Sequence, residues 1–310
     1  MRAIGFREPG EPDVLEVVEL PDPTPGDGEV VIRVHAAAVN PTDTARRSGF
    51  AGPSKQPPPY VPGMDAAGIL EEIGPGVQTD LSVGDRVMAI VLPRGSHGAY
   101  AEKVAVPADS VVAAPRDTSH AEASTLPMNG LTARRSLDML GLEPGSTLVV
   151  TGAAGAMGGY AVQLAKADGL FVIADAAEKD ETLVSDLGAD VVLRRGEGFA
   201  ERVRERYPDG ADAAIDAALL LDAVAPAVKD GGTIITLRGQ EGTPERDVVF
   251  RPVFVAEYAT EHEKLDTLRR QAEDGTVTLR VAEVLPKEQA PEAHRRLDAG
   301  GVRGRLVLEF

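Results

Sequence analysis

The sequence contains neither cysteine nor tryptophan, and only 4% of its 310 residues are aromatic. Without cysteine the chain cannot form disulfides, use a cysteine nucleophile, or bind zinc or an iron–sulfur cluster through thiolates. No apolar run approaches the roughly 18 residues of a membrane-spanning helix, and the N-terminus lacks the apolar stretch of a signal peptide. We therefore expect a soluble, cytoplasmic protein.

Basic residues are outnumbered: 32 lysines and arginines stand against 49 acidic residues, which gives a formal net charge of -17. A negative field of this kind repels nucleic-acid phosphates and anionic lipid surfaces. We therefore expect neither nucleic acid nor a membrane as a partner. The length predicts about two domains, and 43% hydrophobic residues are enough to form their cores.

The pattern of short elements changes near residue 117. Before it, β-rich runs such as 30–34, 68–73 and 86–91 are separated by Gly/Pro turns, which is typical of a β-barrel. After it, apolar strands at 147–150, 170–174 and 213–216 alternate with helical segments, which predicts a doubly wound parallel sheet. From about residue 256 a charged helix and a terminal strand are expected to return to the first domain.

A glycine-rich turn, residues 151–159, connects an apolar strand to a helix. It is similar to G-x-G-x-x-G, with Ala153 in the place of the first glycine. Small residues let the backbone approach a pyrophosphate at the positive end of the helix, and in this strand–helix context the turn predicts dinucleotide binding. A turn that only packs the helix on the strand is the alternative. The candidate contacts are Ala154, Gly155, Ala156 and Met157.

The residues that would select the cofactor point in two directions. Asp175 ends the second strand, where an acid normally binds the ribose 2′-hydroxyl and favours NAD(H). Lys179 and Arg195 could instead hold the 2′-phosphate of NADP(H), or could be ordinary surface cations. On charge alone the choice stays open.

Several further runs coincide, in order, with one known family over almost the whole chain. They are residues 37–43, 59–68, 83–87, 98–102, 126–133, 161–166 and 301–305. Together with the glycine turn, they resemble a zinc-independent, quinone oxidoreductase-like member of the medium-chain dehydrogenase/reductase superfamily.

This resemblance implies an α/β fold with a GroES-like β-barrel catalytic domain, 1–116 and 256–310, and a Rossmann dinucleotide-binding domain, 117–255. It also implies a homodimer, a cofactor contact at Thr132, and a preference for NADP(H) with Arg195 near the phosphate. NAD(H) remains possible.

The resemblance places Asn40, Met64 and Met128 where zinc-dependent relatives have catalytic ligands, with Asp65 after the second of them. Amide and thioether groups do not make a tetrahedral zinc site, so no zinc is expected. Asn40 is implied as the catalytic residue, with its amide facing the nicotinamide or a substrate carbonyl. A turn asparagine before Pro41 is the alternative.

Some relatives carry a proton-donating tyrosine in the loop after Asn40, whereas this chain has Ala51, so solvent is the expected proton donor. The aromatic residues Phe50 and Tyr60 are candidates for the wall of an apolar substrate pocket, or for simple packing.

The resemblance implies hydride transfer to a small-molecule partner, a quinone or an α,β-unsaturated carbonyl, as the expected function. The main alternative is a non-catalytic NAD(P)H-binding sensor or crystallin-like structural protein, because fold does not guarantee chemistry. A reductase within a larger synthase is a third possibility. Turnover would separate the first from the second.

Overall fold

The computed structural model describes residues 1–50, 57–93, 97–243 and 246–310. These residues form two compact units. The β unit consists of Met1–Met128, Ala256–Asp274 and Leu279–Phe310, and the α/β unit consists of Asn129–Val255 and Gly275–Thr278. The domain limits and the roles expected from the sequence stay a prediction.

The first part of the β unit is built mainly of antiparallel strands. Its elements are β1 (Arg2–Gly5), β2 (Glu16–Glu19), β3 (Glu29–Ala38), α1 (Pro41–Arg47), β4 (Asp65–Ile73), β5 (Arg86–Ile90), β6 (Lys103–Pro107), β7 (Val111–Ala113) and α2 (His120–Ala123).

The α/β unit alternates strands and helices. Its elements are α3 (Pro127–Leu140, which begins in the β unit), β8 (Thr147–Thr151), α4 (Ala156–Ala167), β9 (Phe171–Ala176), α5 (Glu181–Asp186), β10 (Val191–Arg194), α6 (Phe199–Arg206), β11 (Ala211–Asp216), β12 (Val228–Thr236) and β13 (Val249–Pro252).

The chain then returns to the β unit through α7 (His262–Glu273), β14 (Val281–Pro286), α8 (Ala290–Ala299) and β15 (Arg305–Glu309). Among the described residues, the larger sheet of this unit has the order β14-β15-β3-β4-β5-β7, and β6 also pairs with β3. β15 pairs antiparallel with β3, for example Val307 with Ala38. The end of the chain therefore completes a sheet that the beginning starts.

The long strand β3 is at the centre of the β unit because it pairs with three other strands. Its valines and isoleucine suit a pleated, buried surface, and Val31 and Ile32 are fully buried. Gly68 on β4 lies so close to β3 that an added Cβ would be 1.9 Å from the Arg33 carbonyl oxygen. Only glycine fits there.

The described strands of the α/β unit form one parallel sheet, in the order β10-β9-β8-β11-β12-β13. Their central runs, such as 148–150 and 172–174, are completely buried, as expected for a parallel sheet covered on both faces. Strand order reverses between β8 and β11, and ligands of such sheets bind at the carboxyl edge near that reversal. The predicted doubly wound α/β fold is confirmed.

In the parts of the chain that the structure describes, no helix is long and apolar enough to cross a membrane.

Candidate functional site

The glycine turn lies at the carboxyl end of β8, next to the reversal of strand order. Gly152 has a φ of +66°, and the Gly155 N–H donates to the Gly152 carbonyl oxygen at 2.9 Å. Gly158 in the first turn of α4 packs directly on this backbone, since an added Cβ would be 2.3 Å from the Gly152 oxygen. Gly155 is the N-cap of α4 and provides no side-chain hydrogen bond to it. The turn thus brings bare backbone to the positive end of a helix.

The four predicted contacts in this turn differ in exposure. Ala154 and Met157 are buried, whereas Gly155 and Ala156 are partly exposed. Because small side chains cover little of the backbone here, contact with a ligand would be made chiefly by main-chain atoms.

Two buried polar side chains join the carboxyl ends of β8 and β11. The Thr151 hydroxyl donates to Asp216 Oδ1 at 2.6 Å and accepts the Ala218 N–H at 3.1 Å. The second oxygen of Asp216 accepts the Leu221 N–H at 2.7 Å. Asp216 is fully buried, so it fixes the loop after β11 beside the glycine turn. The sequence reasoning missed Asp216, although an acid ending an apolar strand was a usable signal.

Asp175 is also bonded to the glycine turn. It lies one residue before the end of β9, is 3% exposed, and accepts the Ala153 N–H at 3.2 Å. Burial raises the pKa of the Asp175 carboxyl, while the Ala153 N–H and the charge of Arg195 act in the opposite direction. Its carboxylate stabilises the turn, and its predicted contact with a ribose stays a prediction.

Lys179 and Arg195 are both exposed near the ends of β9 and β10. The Arg195 N–H donates to the carbonyl of Ala176, the last residue of β9, at 2.8 Å. The neighbouring Arg194 pairs with Glu178 at 2.9 Å, whereas no carboxylate of the described residues lies within 4 Å of the Lys179 or Arg195 charge. These two cations are therefore available to an anion.

Thr132 lies on α3, 6% exposed, and its carbonyl accepts the Ser136 hydroxyl at 2.8 Å. Its predicted contact with a cofactor stays a prediction.

Asn40 belongs to a buried polar cluster in the β unit. Its amide nitrogen donates to the Ala38 carbonyl at 3.2 Å and to Asp65 Oδ2 at 2.9 Å. Its oxygen accepts from Arg305 Nη2 at 2.7 Å, and Asn40 is fully buried. Both N–H groups of this amide and its oxygen thus form hydrogen bonds, and these bonds fix the orientation of the amide. The sequence reasoning missed Arg305, although the terminal motif contained it.

A second group of polar residues adjoins this cluster. Asp43 accepts the N–H groups of Asn40 and Gly63, each at 2.8 Å, and Tyr100 Oη lies 3.3 Å from both Asp43 and His294. Burial raises the pKa of Asp43 to about 6 and lowers that of His294 to about 3. At neutral pH the imidazole is therefore uncharged.

The sequence positions with possible metal-binding roles do not fit a zinc site. The carboxylate of Asp65 pairs with Arg305 at 3.0 Å, and the Met64 sulfur accepts the Thr42 hydroxyl at 3.0 Å. Within the described ranges no group of three or more His, Asp or Glu could hold a metal ion. The guanidinium of Arg305 lies beside Asn40 and Asp65. The amide and thioether groups at the ligand positions are unlike the thiolate and imidazole donors of tetrahedral zinc.

The predicted aromatic pocket is only partly described. Phe50 is 77% exposed, while Tyr60 is half-buried with its ring 5.4 Å from that of Phe6. Ala51 lies outside the described residues. The pocket stays a prediction.

Two family models match the chain. Residues 26–116 match the alcohol dehydrogenase GroES-like domain, and residues 187–308 match the zinc-binding dehydrogenase family. A 2-methylene-furan-3-one reductase of Solanum lycopersicum is 30% identical over an alignment of 322 positions, gaps included. The alignment covers 99% of this chain and 79% of that protein. The chain belongs to the medium-chain dehydrogenase/reductase superfamily. The predicted family is confirmed.

Other members of the superfamily have a similar sequence or structure. A chloroplastic NADPH-dependent alkenal/one oxidoreductase of Arabidopsis thaliana is 32% identical over 79% of this chain and 64% of its own length. A mycobacterial quinone oxidoreductase (TM-score 0.84, 30% identity) and an NAD-dependent alcohol dehydrogenase (TM-score 0.89, 32% identity) each match over 100% of both chains.

Proposed function

We propose that this protein is an NADPH-dependent, zinc-independent reductase that transfers hydride to a quinone or an α,β-unsaturated carbonyl. The observation that carries the proposal is the glycine turn, whose exposed backbone meets the N-terminus of α4 at the reversal of strand order. The names of its relatives support the acceptor class. The proposal includes a cytoplasmic homodimer.

The α/β unit supplies the proposed cofactor site. Backbone groups of residues 154–157 bind the pyrophosphate, while Lys179 and Arg195 hold the 2′-phosphate. Because Asp175 is buried and bonded to the Ala153 N–H, it offers a ribose hydroxyl little contact, which favours NADP(H). When bound, the nicotinamide supplies the hydride.

The β unit supplies a rigid polar cluster, not a Lewis acid. Asn40, which the resemblance implies as the catalytic residue, is proposed to act instead as a positioning residue. Its amide is completely buried, and both its nitrogen and its oxygen are hydrogen-bonded within the β unit. The negative charge of Asp65 is balanced by the positive charge of Arg305, which supports the absence of zinc. Hydride transfer would leave an enolate from an unsaturated carbonyl, or a hydroquinone anion from a quinone, and either anion would take its proton from solvent.

The test is a turnover assay with dialysed, chelator-treated protein. We expect NADPH oxidation with a small quinone, an enone or an alkenal, unchanged by added zinc. Saturable NADPH binding without turnover on any acceptor would favour a sensor or structural protein. Zinc-dependent oxidation of an alcohol by NAD⁺ would instead favour an alcohol dehydrogenase, like the structurally similar NAD-dependent enzyme.

An Arg195→Ser variant tests the phosphate contact. A charge-assisted hydrogen bond contributes about 1.5–3 kcal/mol, so we expect KM for NADPH to rise about 10–100-fold while KM for NADH stays unchanged. Arg194→Ser is the matched control, because Arg194 already pairs with Glu178. An equal rise for both cofactors, or in the control, contradicts the assignment.

A further inference from the structure

One nitrogen of Arg305 is enclosed by three oxygen atoms. Nη2 lies 2.7 Å from Asn40 Oδ1, 3.0 Å from Asp65 Oδ2 and 3.1 Å from the Val39 carbonyl, and Nη1 lies 3.2 Å from the Thr125 carbonyl. Arg305 is 4% exposed, and Asn40 and Asp65 are completely buried. We call the four oxygen-bearing residues, Val39, Asn40, Asp65 and Thr125, the cation cage.

The cage joins parts of the chain that are far apart in sequence. Val39 and Asn40 follow β3, Asp65 begins β4, and Thr125 precedes α3, while Arg305 begins β15. The guanidinium therefore fixes the place where these segments meet. Through Asp65, whose other oxygen accepts the Met128 N–H at 2.7 Å, it also acts on the start of α3.

The chemistry of the cage requires a donor with positive charge. All four oxygens accept hydrogen bonds, and one of them belongs to a carboxylate. A water molecule donates only two hydrogen bonds and carries no charge, whereas the planar guanidinium provides several donors in a fixed arrangement. A buried carboxylate without such a partner is strongly disfavoured.

We propose that Arg305 is a positioning residue that acts as a tethered cation: it fills the cation cage and thereby sets the orientation of Asn40 and Asp65 for turnover. The part concerning turnover rests on the proposed function, whereas the cage itself does not. It follows that removal of the side chain leaves a binding site for a free guanidinium ion.

Chemical rescue of Arg305→Ala tests the proposal. We expect kcat to fall by about 10²-fold, since small misplacements near reacting groups have effects of this size. Guanidinium chloride at millimolar concentrations should restore at least a tenth of the wild-type kcat and raise the Tm of the variant in a saturable way. Equal concentrations of sodium chloride and of urea, the neutral planar analogue, should do neither.

Arg295→Ala is the matched control, because Arg295 is exposed and its pairs with Asp13 and Glu292 lie at the surface. It should show no loss of kcat and no response to guanidinium. The cage proposal is overturned if urea or sodium chloride rescues Arg305→Ala as well as guanidinium does, or if guanidinium leaves its Tm unchanged. If wild-type protein shows no turnover, the proposed function fails, yet the Tm measurement still decides the cage.

Two further variants keep the test decisive if Arg305→Ala does not fold. Asp65→Asn/Arg305→Met removes both charges, so it should fold but show a reduced kcat that guanidinium does not restore. Arg305→Lys keeps the charge but loses the planar arrangement of donors, so its kcat should lie between those of wild type and the double variant. Wild-type kcat in the double variant overturns the positioning role.

Discussion

At the scale of single residues, Gly158 shows how a side chain of one hydrogen atom shapes the candidate cofactor site. Its Cα faces the Gly152 backbone so closely that an added Cβ would be 2.3 Å from the carbonyl oxygen and 2.7 Å from the carbonyl carbon. Both neighbours are backbone atoms, which cannot move by changing a rotamer. A larger residue must displace α4 or the turn.

A Gly158→Ala variant should therefore lose both stability and cofactor binding. Overpacking of this kind costs about 1–3 kcal/mol, and displacement of the turn should weaken NADPH binding at least 10-fold. Urea unfolding and NADPH titration measure the two effects.

Gly231→Ala is the control, because Gly231 has a φ of +72° but no atom within 4 Å of an added Cβ. It should lose about 1–2 kcal/mol through its left-handed backbone and keep its NADPH affinity. Normal NADPH affinity in Gly158→Ala would show that the turn tolerates displacement.

Residue types were easier to predict than residue contacts. The glycine turn was identified correctly in position, because its spacing is local. The contacts of Asp175 with Ala153, and of Asn40 with Asp65 and Arg305, involve residues 22 to 265 positions apart. Such pairings depend on the tertiary fold, and one sequence does not contain them.

At the scale of elements, an aspartate of β11 bonds to β8 at each end of this strand pair, and the two contacts differ in their distance from the proposed cofactor site. At the carboxyl ends, Asp216 binds Thr151 and Leu221. At the amino ends, Asp212 accepts the N–H of Thr147, the first residue of β8, at 2.7 Å. Only the first contact lies at the edge where a dinucleotide is proposed to bind.

An Asp216→Ala variant should lose stability and cofactor affinity together. It leaves the buried Thr151 hydroxyl and the Leu221 N–H without their acceptor, at a cost of about 1–3 kcal/mol each. The loop after β11 should then move away from the glycine turn. Urea unfolding and NADPH titration report the two losses.

Asp212→Ala removes the equivalent contact at the opposite edge of the same strands, together with the Lys229 pair. It should also lower the free energy of unfolding but leave the Kd for NADPH unchanged. An equal loss of affinity in both variants would mean that Asp216 acts only through general stability.

Elements with strong periodicity were predicted well, and those set by their partners were not. The strand predicted at 147–150 corresponds to β8, and the helix predicted to follow the glycine turn corresponds to α4. The sequence analysis did not anticipate where α3 begins, at Pro127, although proline favours the first helical position. β13 was not predicted, because its residues are exposed or only partly buried and show no apolar pattern. It is a strand because it pairs with β12.

At the scale of the whole molecule, the charge of the chain opposes the charge of the proposed cofactor. A formal net charge of -17 repels a phosphorylated nucleotide at long range, while Lys179 and Arg195 attract it locally. The Debye length is about 30 Å at 0.01 M salt and about 10 Å at 0.1 M. Added salt therefore screens the long-range repulsion before it weakens the short-range contacts.

The affinity for NADPH should accordingly pass through a maximum as salt increases. Between 0.01 and 0.1 M salt, we expect Kd to fall because repulsion by the whole chain is screened. Above about 0.3 M, Kd should rise because the contacts of the 2′-phosphate are weakened in turn. For Arg195→Ser, the Kd for NADPH should still fall at low salt, but its rise at high salt should be smaller. The Kd of the wild-type protein for NADH should depend on salt in the same way. Titrations of nicotinamide fluorescence at fixed pH would measure all three curves. A Kd that rises steadily from the lowest salt would mean that the local cations outweigh the acidity of the chain at every distance.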